Sequence, residues 1–161
     1  MTVTSAQVRR ILVTGATGNQ GSAVIQALLQ SPSVSSFEIF ALTRNITSPK
    51  AKALAAKSPA ISLLHGDFDD CNAIFKSCPG PISAVYSVQI NVFGNSENAN
   101  TERLQGYALI DAALAHGVRH FIQASGDRGG PEKSEVDPTT YLILPQSSTS
   151  RTTSCERRTA K

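Results

Sequence analysis

Three glycines, Gly15, Gly18 and Gly21, are spaced as GxxGxxG in the stretch TGATGNQG, directly after the apolar run ILVT. Between a strand and a helix, the first glycine permits a tight turn. The second lets a pyrophosphate approach the backbone, and the third lets helix and strand pack closely. The N–H groups and positive dipole end of the following helix attract the phosphates. The loop therefore predicts a dinucleotide-binding site, and a purely structural turn is the alternative.

A second candidate contact lies in the stretch ALTRN, which follows the next apolar run. In NAD-binding sites an acidic residue at this place holds the 2′-hydroxyl of the adenosine ribose. Here the chain has Thr43, Arg44 and Asn45 and no acid. A guanidinium suits a 2′-phosphate because it offers bidentate, charge-assisted hydrogen bonds. Arg44 therefore favours NADP over NAD, and the alternative is a solvated loop cation.

The elements that would position these residues alternate between strand and helix with short connections. The predicted strands are RRILVTG, FEIFAL, ISLLHGD, ISAVYSVQ and RHFIQAS, and the helices between them are NQGSAVIQALLQS, SPKAKALAAKSPA, DDCNAIFKSC and ENANTERLQGYALIDAALAHG. This alternation is typical of a parallel sheet with helices on both faces. We predict an α/β fold, a Rossmann-like doubly wound parallel sheet with strand order 3-2-1-4-5.

Charge and composition exclude several classes of partner. Of the 15 basic and 12 acidic residues, four basic and one acidic residue lie in residues 140–161, so the rest of the chain is neutral. Without a clustered basic face we expect no direct nucleic-acid partner. No apolar run reaches the roughly 18 residues of a membrane span, and the N-terminus has no secretory signal pattern. These features predict a cytoplasmic protein without a membrane partner.

Metal binding is not predicted. The three cysteines lack CxxC spacing, and His65, His116 and His120 lie at unrelated spacings, so no zinc-type ligand set is visible. Free thiols in a reducing compartment are the expectation.

With these motifs assembled, the chain resembles the NmrA-like family, atypical members of the short-chain dehydrogenase/reductase superfamily. The resemblance rests on ILVTGATGNQGSAVIQALL, ALTRN, LLHGDFDD and LQGYALIDAALAHGVRHFIQAS, and it covers residues 10 to 137, the N-terminal half of a family member. It implies further cofactor contacts: Thr17, Asn19 and Gln20 in the glycine loop, Asp67 and Phe68 at the adenine, and Val88 and Gln89 near the nicotinamide-side ribose.

Some of these residues have a structural alternative. Helix capping is the alternative for Asp67 and the preferred interpretation of Asp69, since acidic side chains suit helix starts. For Gln89, the sequence supports a structural role and a ribose contact equally.

The resemblance supplies no complete catalytic set. Reductases of the superfamily use a Tyr-xxx-Lys pair beyond the fifth strand, in which the Lys lowers the pKa of the Tyr. Tyr141 is followed at that spacing by Pro145, and Tyr107 by Asp111. Ser125 matches a site that can bind substrate, but without partners it is better interpreted as a strand-end residue. No catalytic residue is therefore assigned.

The last 22 residues differ from the rest, being rich in Ser, Thr and Arg, and we predict that they are disordered. With permitted codons, a one-base shift converts residues 141–156 into PHFATKQHIENHLL, which resembles the family sequence after the fifth strand. We therefore expect a truncated NAD(P)-binding Rossmann domain over residues 1–139, a sheet incomplete at its C-terminal side, and a frame slip in residues 140–161. Sequencing the transcript across this junction tests the slip.

Three functions remain open at this point. The resemblance implies either a redox-sensing, NADP(H)-binding regulator with a protein partner such as a transcription factor, or an NADP-dependent oxidoreductase for a small carbonyl or enone. An inactive remnant is the third. A regulator of this kind would act in the cytoplasm, with the nucleus as a second location.

Overall fold

The computed structural model describes residues 8–89 and 96–124 of the chain. Its strands are β1 (Arg9–Val13), β2 (Phe37–Thr43), β3 (Ile61–His65), β4 (Ala84–Ser87) and β5 (His120–Gln123). Its α-helices are α1 (Asn19–Leu29), α2 (Pro49–Ala55), α3 (Cys71–Lys76) and α4 (Ser96–Ala115). Two 3-10 helices, Val34–Ser36 and Phe68–Asp70, complete the described elements.

The five strands form one parallel sheet in the order β3-β2-β1-β4-β5. The predicted fold class and strand order are confirmed. From β1 the chain first moves outward through β2 to β3, and then returns to the other side of β1 to form β4. The order therefore reverses between β1 and β4, which is where ligands bind in doubly wound folds, at the carboxyl ends of the strands.

The core has two halves because successive strand residues point to opposite faces of the sheet. On one face Leu12 and Val85 pack with Ile74 of α3 and Leu109 of α4. On the other face Val13 and its neighbours pack against α1 and α2, in a cluster that contains Val13, Ala16, Ile25, Ile39, Ala41, Leu54 and Ile61. Adjacent residues of β1 are thus fully buried on opposite faces, as expected of a central parallel strand.

Helix α2 lies between two Ser-Pro pairs, as the sequence pattern predicted. It begins at Pro49, with Ser48 as its N-cap, and ends at Ala55. Ser58 and Pro59 follow it, and a proline removes a backbone donor and disfavours helical geometry in the residue before it. The helix therefore ends before that pair.

Several sequence predictions concern residues outside the described ranges. They are the roles of Ser125 and Tyr141, the disordered tail and the frame slip in residues 140–161. Within the described ranges, no helix combines the length and apolarity that a membrane crossing requires.

Candidate functional site

The turn from β1 into α1 is built on Gly15, whose φ of +57° lies in the left-handed region that favours glycine. A Cβ at this position would lie 3.2 Å from the Cβ of Val88, so the turn and the end of β4 are in close contact. The Gly18 N–H donates to the Gly15 carbonyl oxygen at 2.9 Å and closes the turn. Helix α1 then begins at Asn19, with Gly18 as its N-cap.

Gly21 packs the first turn of α1 against this loop. A Cβ there would lie 2.4 Å from the Gly15 carbonyl oxygen and 2.9 Å from the Cα of Ala16, both backbone atoms. The first N–H groups of a helix lack intrahelical partners, and Gly18 offers no side-chain cap. Backbone donors at the start of α1 therefore remain available to an anion.

Thr14 ties the glycine loop to β4 by hydrogen bonds that span 74 residues of sequence. Its fully buried hydroxyl accepts from the Val88 N–H at 2.7 Å and donates to the Val88 carbonyl oxygen at 3.0 Å. The Thr14 N–H also donates to the Tyr86 carbonyl oxygen at 2.9 Å. This residue fixes the two strand ends at the point where the strand order reverses.

The substitution Thr14→Val keeps the side-chain shape but removes both hydrogen bonds of the hydroxyl. We expect it to destabilise the chain by about 2 kcal/mol, because the buried Val88 N–H loses its acceptor. The free energy of unfolding, measured in urea, checks this. Thr47→Val is the matched control, since the Thr47 hydroxyl bonds Asn45 in an exposed loop. Equal effects of the two substitutions would contradict the role assigned to Thr14.

A cleft of about 570 Å³ lies at the carboxyl ends of the strands, within the size range of small-molecule sites. Six residues that the sequence singled out line it: Gly15, Thr17, Arg44, Asp67, Phe68 and Val88. The other lining residues are Leu42, Thr43, Asn45, Ser48, Gly66, Thr101 and Gln105. The structure thus brings together residues from the ends of β1, β2, β3 and β4.

The remaining predicted contacts lie beside the cleft. Gly18, Asn19 and Gln20 are exposed at the start of α1, and Gly21 is buried beneath them. Gln89 is half-buried, and its Oε1 accepts from Gln123 Nε2 at 3.4 Å.

Arg44 stands at the β2 end of the cleft on a loop held by local hydrogen bonds. The Asn45 Oδ1 accepts from the Thr47 N–H at 3.0 Å and from the Thr47 hydroxyl at 2.7 Å. The Ser48 hydroxyl oxygen accepts from the Ala51 N–H at 3.2 Å and caps α2. Arg44 itself is exposed, and no carboxylate in the described ranges forms an ion pair with it. The site therefore presents a free cation on an ordered loop.

At the β3 end, two aspartates act as caps. The Asp67 Oδ1 accepts from the Phe68 N–H at 2.6 Å, and the Asp70 Oδ1 accepts from the Ala73 N–H at 2.9 Å and caps α3. The preferred capping role of Asp69 was wrong. Its carboxylate instead lies 3.5 Å from Gln105 Nε2, because the 3-10 helix Phe68–Asp70 turns it toward α4.

Among the described residues, Cys71 and Cys78 are poorly suited to act as nucleophiles, and no metal-ligand cluster occurs. Burial raises the pKa of the Cys71 thiol to about 11, and the carboxylates of Asp70, Asp67 and Asp69 add to the rise. Burial also raises the pKa of Cys78, against an opposing effect of Arg10. Both are free thiols, and no cluster of possible metal ligands occurs in the part of the chain described. The thiolate, which is the reactive form, is therefore disfavoured at both cysteines.

Tyr107 does not join the cleft. It lies in α4 with 40% of its surface exposed, and it is absent from the cleft lining.

Comparison with known proteins identifies the fold family. The family model for the NmrA-like family matches residues 7–138. The chain belongs to the NmrA-like family. The NmrA-like family domain-containing oxidoreductase hkm9 of Aspergillus hancockii is 33% identical over 121 residues, which are 75% of this chain and 35% of that protein. The chain thus spans about a third of the length of the curated relatives it matches.

Solved structures agree with this assignment. The NADPH-dependent quinone oxidoreductase QOR2 of Escherichia coli, solved with NADPH, is 30% identical with a TM-score of 0.56, over 71% of this chain and 36% of that one. The triphenylmethane reductase of Citrobacter sp., solved with NADP(H), is 25% identical with a TM-score of 0.58, over 81% of this chain and 43% of that one.

Sequence reasoning missed Thr14, which builds the site, and several lining residues, among them Ser48, Thr101 and Gln105. Ser48 had a signal, since a Ser before Pro at a helix start is typical of an N-cap. Thr101 and Gln105 had none, because their place in the cleft depends on how α4 packs over the sheet.

Proposed function

We propose that this NmrA-like chain binds NADP(H) in the cleft at the carboxyl ends of its strands. The observation that carries the proposal is the pairing of two features in one cleft. At one end Gly15 and Gly21 leave no room for a Cβ against Val88 and the loop backbone, so the glycine loop packs closely on the start of α1. At the other end lies the guanidinium of Arg44, which forms no ion pair with a residue that the structure describes. Backbone donors at a helix start suit a pyrophosphate, and a free guanidinium suits a 2′-phosphate.

Each part of the cofactor has residues to hold it. The pyrophosphate would meet the glycine loop, formed by Gly15, Thr17, Gly18, Asn19, Gln20 and Gly21. Arg44 would bind the 2′-phosphate, and Asp67 and Phe68 would contact the adenine. Val88 and Gln89 would lie beside the second ribose. Residues 1–139 would together form the cofactor-binding domain, with residues 140–161 as a tail.

The chemistry that NADPH would supply when bound is hydride donation, and the described residues would bind and orient the cofactor. We propose a redox-sensing role for this chain, with a protein partner such as a transcription factor, in the cytoplasm or nucleus. The names of its curated relatives favour an oxidoreductase as the second candidate. For that candidate we propose an NADP-dependent reaction on a small carbonyl or enone.

Titration of the purified chain with NADPH and with NADH tests the proposal. We expect calorimetry to show NADPH binding at least about tenfold tighter than NADH, because only NADPH carries the 2′-phosphate that Arg44 would hold. The melting temperature should rise with NADPH concentration, since a ligand of the native state stabilises it. A folded chain that binds neither nucleotide would refute the proposal and favour an inactive remnant.

Assays of the same purified chain distinguish a redox sensor from an oxidoreductase. NADPH that binds but is not consumed with a panel of carbonyl and enone compounds would support the sensor. Substrate-dependent loss of NADPH absorbance would instead establish the oxidoreductase.

A further inference from the structure

Helix α4 carries apolar side chains on two opposite faces. Its inner face packs on the sheet through Leu109 and its neighbours in the core. Its outer face carries Leu104, Tyr107 and Leu114, with 58%, 40% and 51% of their surfaces exposed. These are three of the six large apolar side chains that stay exposed among the described residues, so half of that set lies on one helix face. A helix that is apolar on both faces is typical of one that is covered on both.

The outer residues of α4 form a symmetric pattern. With Asp111, which is also exposed, they follow one another at intervals of three, four and three residues, so they lie along one stripe of the helix. The α4 stripe, formed by Leu104, Tyr107, Asp111 and Leu114, is about 15 Å long. It has a leucine at each end, and between the leucines it has one hydroxyl donor, on Tyr107, and one carboxylate acceptor, on Asp111. The stripe is therefore complementary to its own reverse.

A second copy of the chain is the partner that this pattern fits. Two α4 helices packed antiparallel about a two-fold axis at Leu109 would place Leu104 against Leu114 of the second copy at both ends of the stripe. Tyr107 would then face Asp111 of the second copy, and a carboxylate accepts several hydrogen bonds, so it would accept one from the tyrosine hydroxyl. A parallel pair would instead place the two Asp111 carboxylates opposite each other, which is unfavourable. The pattern therefore favours the antiparallel pair.

We propose that the chain forms a homodimer through the α4 stripe, with the two helices antiparallel. Removal of the leucines from water would supply the affinity, and the Tyr107–Asp111 bonds would set the register. A single helix pair is a small interface, so we expect a dissociation constant on the order of 10 μM. Gln105 lines the cofactor cleft from another side of α4, so dimerisation requires no bound nucleotide. Its failure would leave the proposed NADP(H) binding standing.

Analytical ultracentrifugation of the purified chain tests the dimer. The parent chain should pass from monomer to dimer as its concentration rises from about 1 to about 200 μM. Leu104→Glu should weaken the dimer at least about 20-fold, because each copy would place a carboxylate against Leu114 of the other. Ile122→Lys is the matched control and should leave the dimer unchanged. Ile122 is 57% exposed, and its strand partner Tyr86 packs with the core cluster on the opposite face of the sheet. Thermal unfolding shows whether each variant folds.

A double variant tests the antiparallel register. In Leu104→Glu/Leu114→Lys, the antiparallel pair would place each introduced carboxylate beside the introduced ammonium of the second copy. The double variant should therefore associate at least about fivefold more tightly than Leu104→Glu alone. A parallel pair would bring like charges together, so a double variant that associates no better than Leu104→Glu would overturn the antiparallel pairing. A parent chain that stays monomeric to about 200 μM, or a dimer that Ile122→Lys disrupts and Leu104→Glu does not, would overturn the α4 interface itself.

Discussion

Gly21→Ala is expected to destabilise the chain by about 3 kcal/mol and to abolish NADPH binding. In an ordinary helix this substitution stabilises by about 1 kcal/mol, because alanine is the better helix former. Here the new Cβ would lie 2.4 Å from the Gly15 carbonyl oxygen and 2.7 Å from the Gly15 carbonyl carbon. Neither atom is the end of a flexible side chain, so relief of the clash requires α1 to move off the loop.

The backbone of the glycine loop has little room to move away from the new methyl group. The carbonyl oxygen that the new methyl group would contact also accepts the Gly18 N–H at 2.9 Å, and Gly15 is held against Val88 on its other side. Displacement of α1 would therefore open the turn and remove the backbone donors from the phosphate position. Urea unfolding and NADPH titration measure the two consequences separately.

Gly117→Ala provides the control for loss of a glycine. Gly117 has φ of +72° and no atom within 4 Å of a built Cβ, so only backbone strain opposes the substitution. We expect a loss of about 1 kcal/mol with NADPH affinity unchanged. If Gly21→Ala were no more harmful than Gly117→Ala, close packing of α1 on the loop would not be the reason for that glycine.

The type and order of the elements could be predicted because they depend on local pattern and on a general rule of topology. Runs such as ILV and FEIFAL are apolar on both faces, as buried parallel strands require. Right-handed crossovers between parallel strands then leave few ways to order them. The glycine spacing predicted the turn for a similar reason, since the backbone of a strand–turn–helix junction permits few alternatives at Gly15.

Contacts between distant residues could not be predicted in this way. The Thr14–Val88 bonds join residues 74 apart, and the Gln89–Gln123 contact joins residues 34 apart. Both depend on which strands become neighbours and on their register. The cap of α3 was misassigned for a related reason: Asp67, Asp69 and Asp70 have the same chemistry, and the 3-10 turn that selects Asp70 depends on packing against α4.

Arg44→Ala is expected to weaken NADPH binding on the order of 50-fold and to change NADH binding by less than about threefold. The guanidinium would make charge-assisted hydrogen bonds to the 2′-phosphate, which NADH lacks. The NADPH affinity of Arg44→Lys should lie between those of the parent chain and Arg44→Ala, because an ammonium keeps the charge but loses the bidentate geometry. Arg119→Ala is the control, since Arg119 is exposed just before β5, at the opposite end of the sheet. Equal losses for NADPH and NADH would contradict a specific phosphate contact.

The exposure of Arg44 makes its contribution sensitive to salt, and this gives an independent check. Exposed charges are screened over about 10 Å at 0.1 M salt and about 3 Å at 1 M, so a guanidinium–phosphate contact weakens as salt rises. The preference of the parent chain for NADPH over NADH should therefore narrow between about 0.05 and 0.5 M salt. In Arg44→Ala the ratio of the NADH and NADPH dissociation constants should change little with salt, because the charge that produced the preference is gone. A preference that is independent of salt in the parent chain would mean that shape, and not this cation, selects the phosphorylated cofactor.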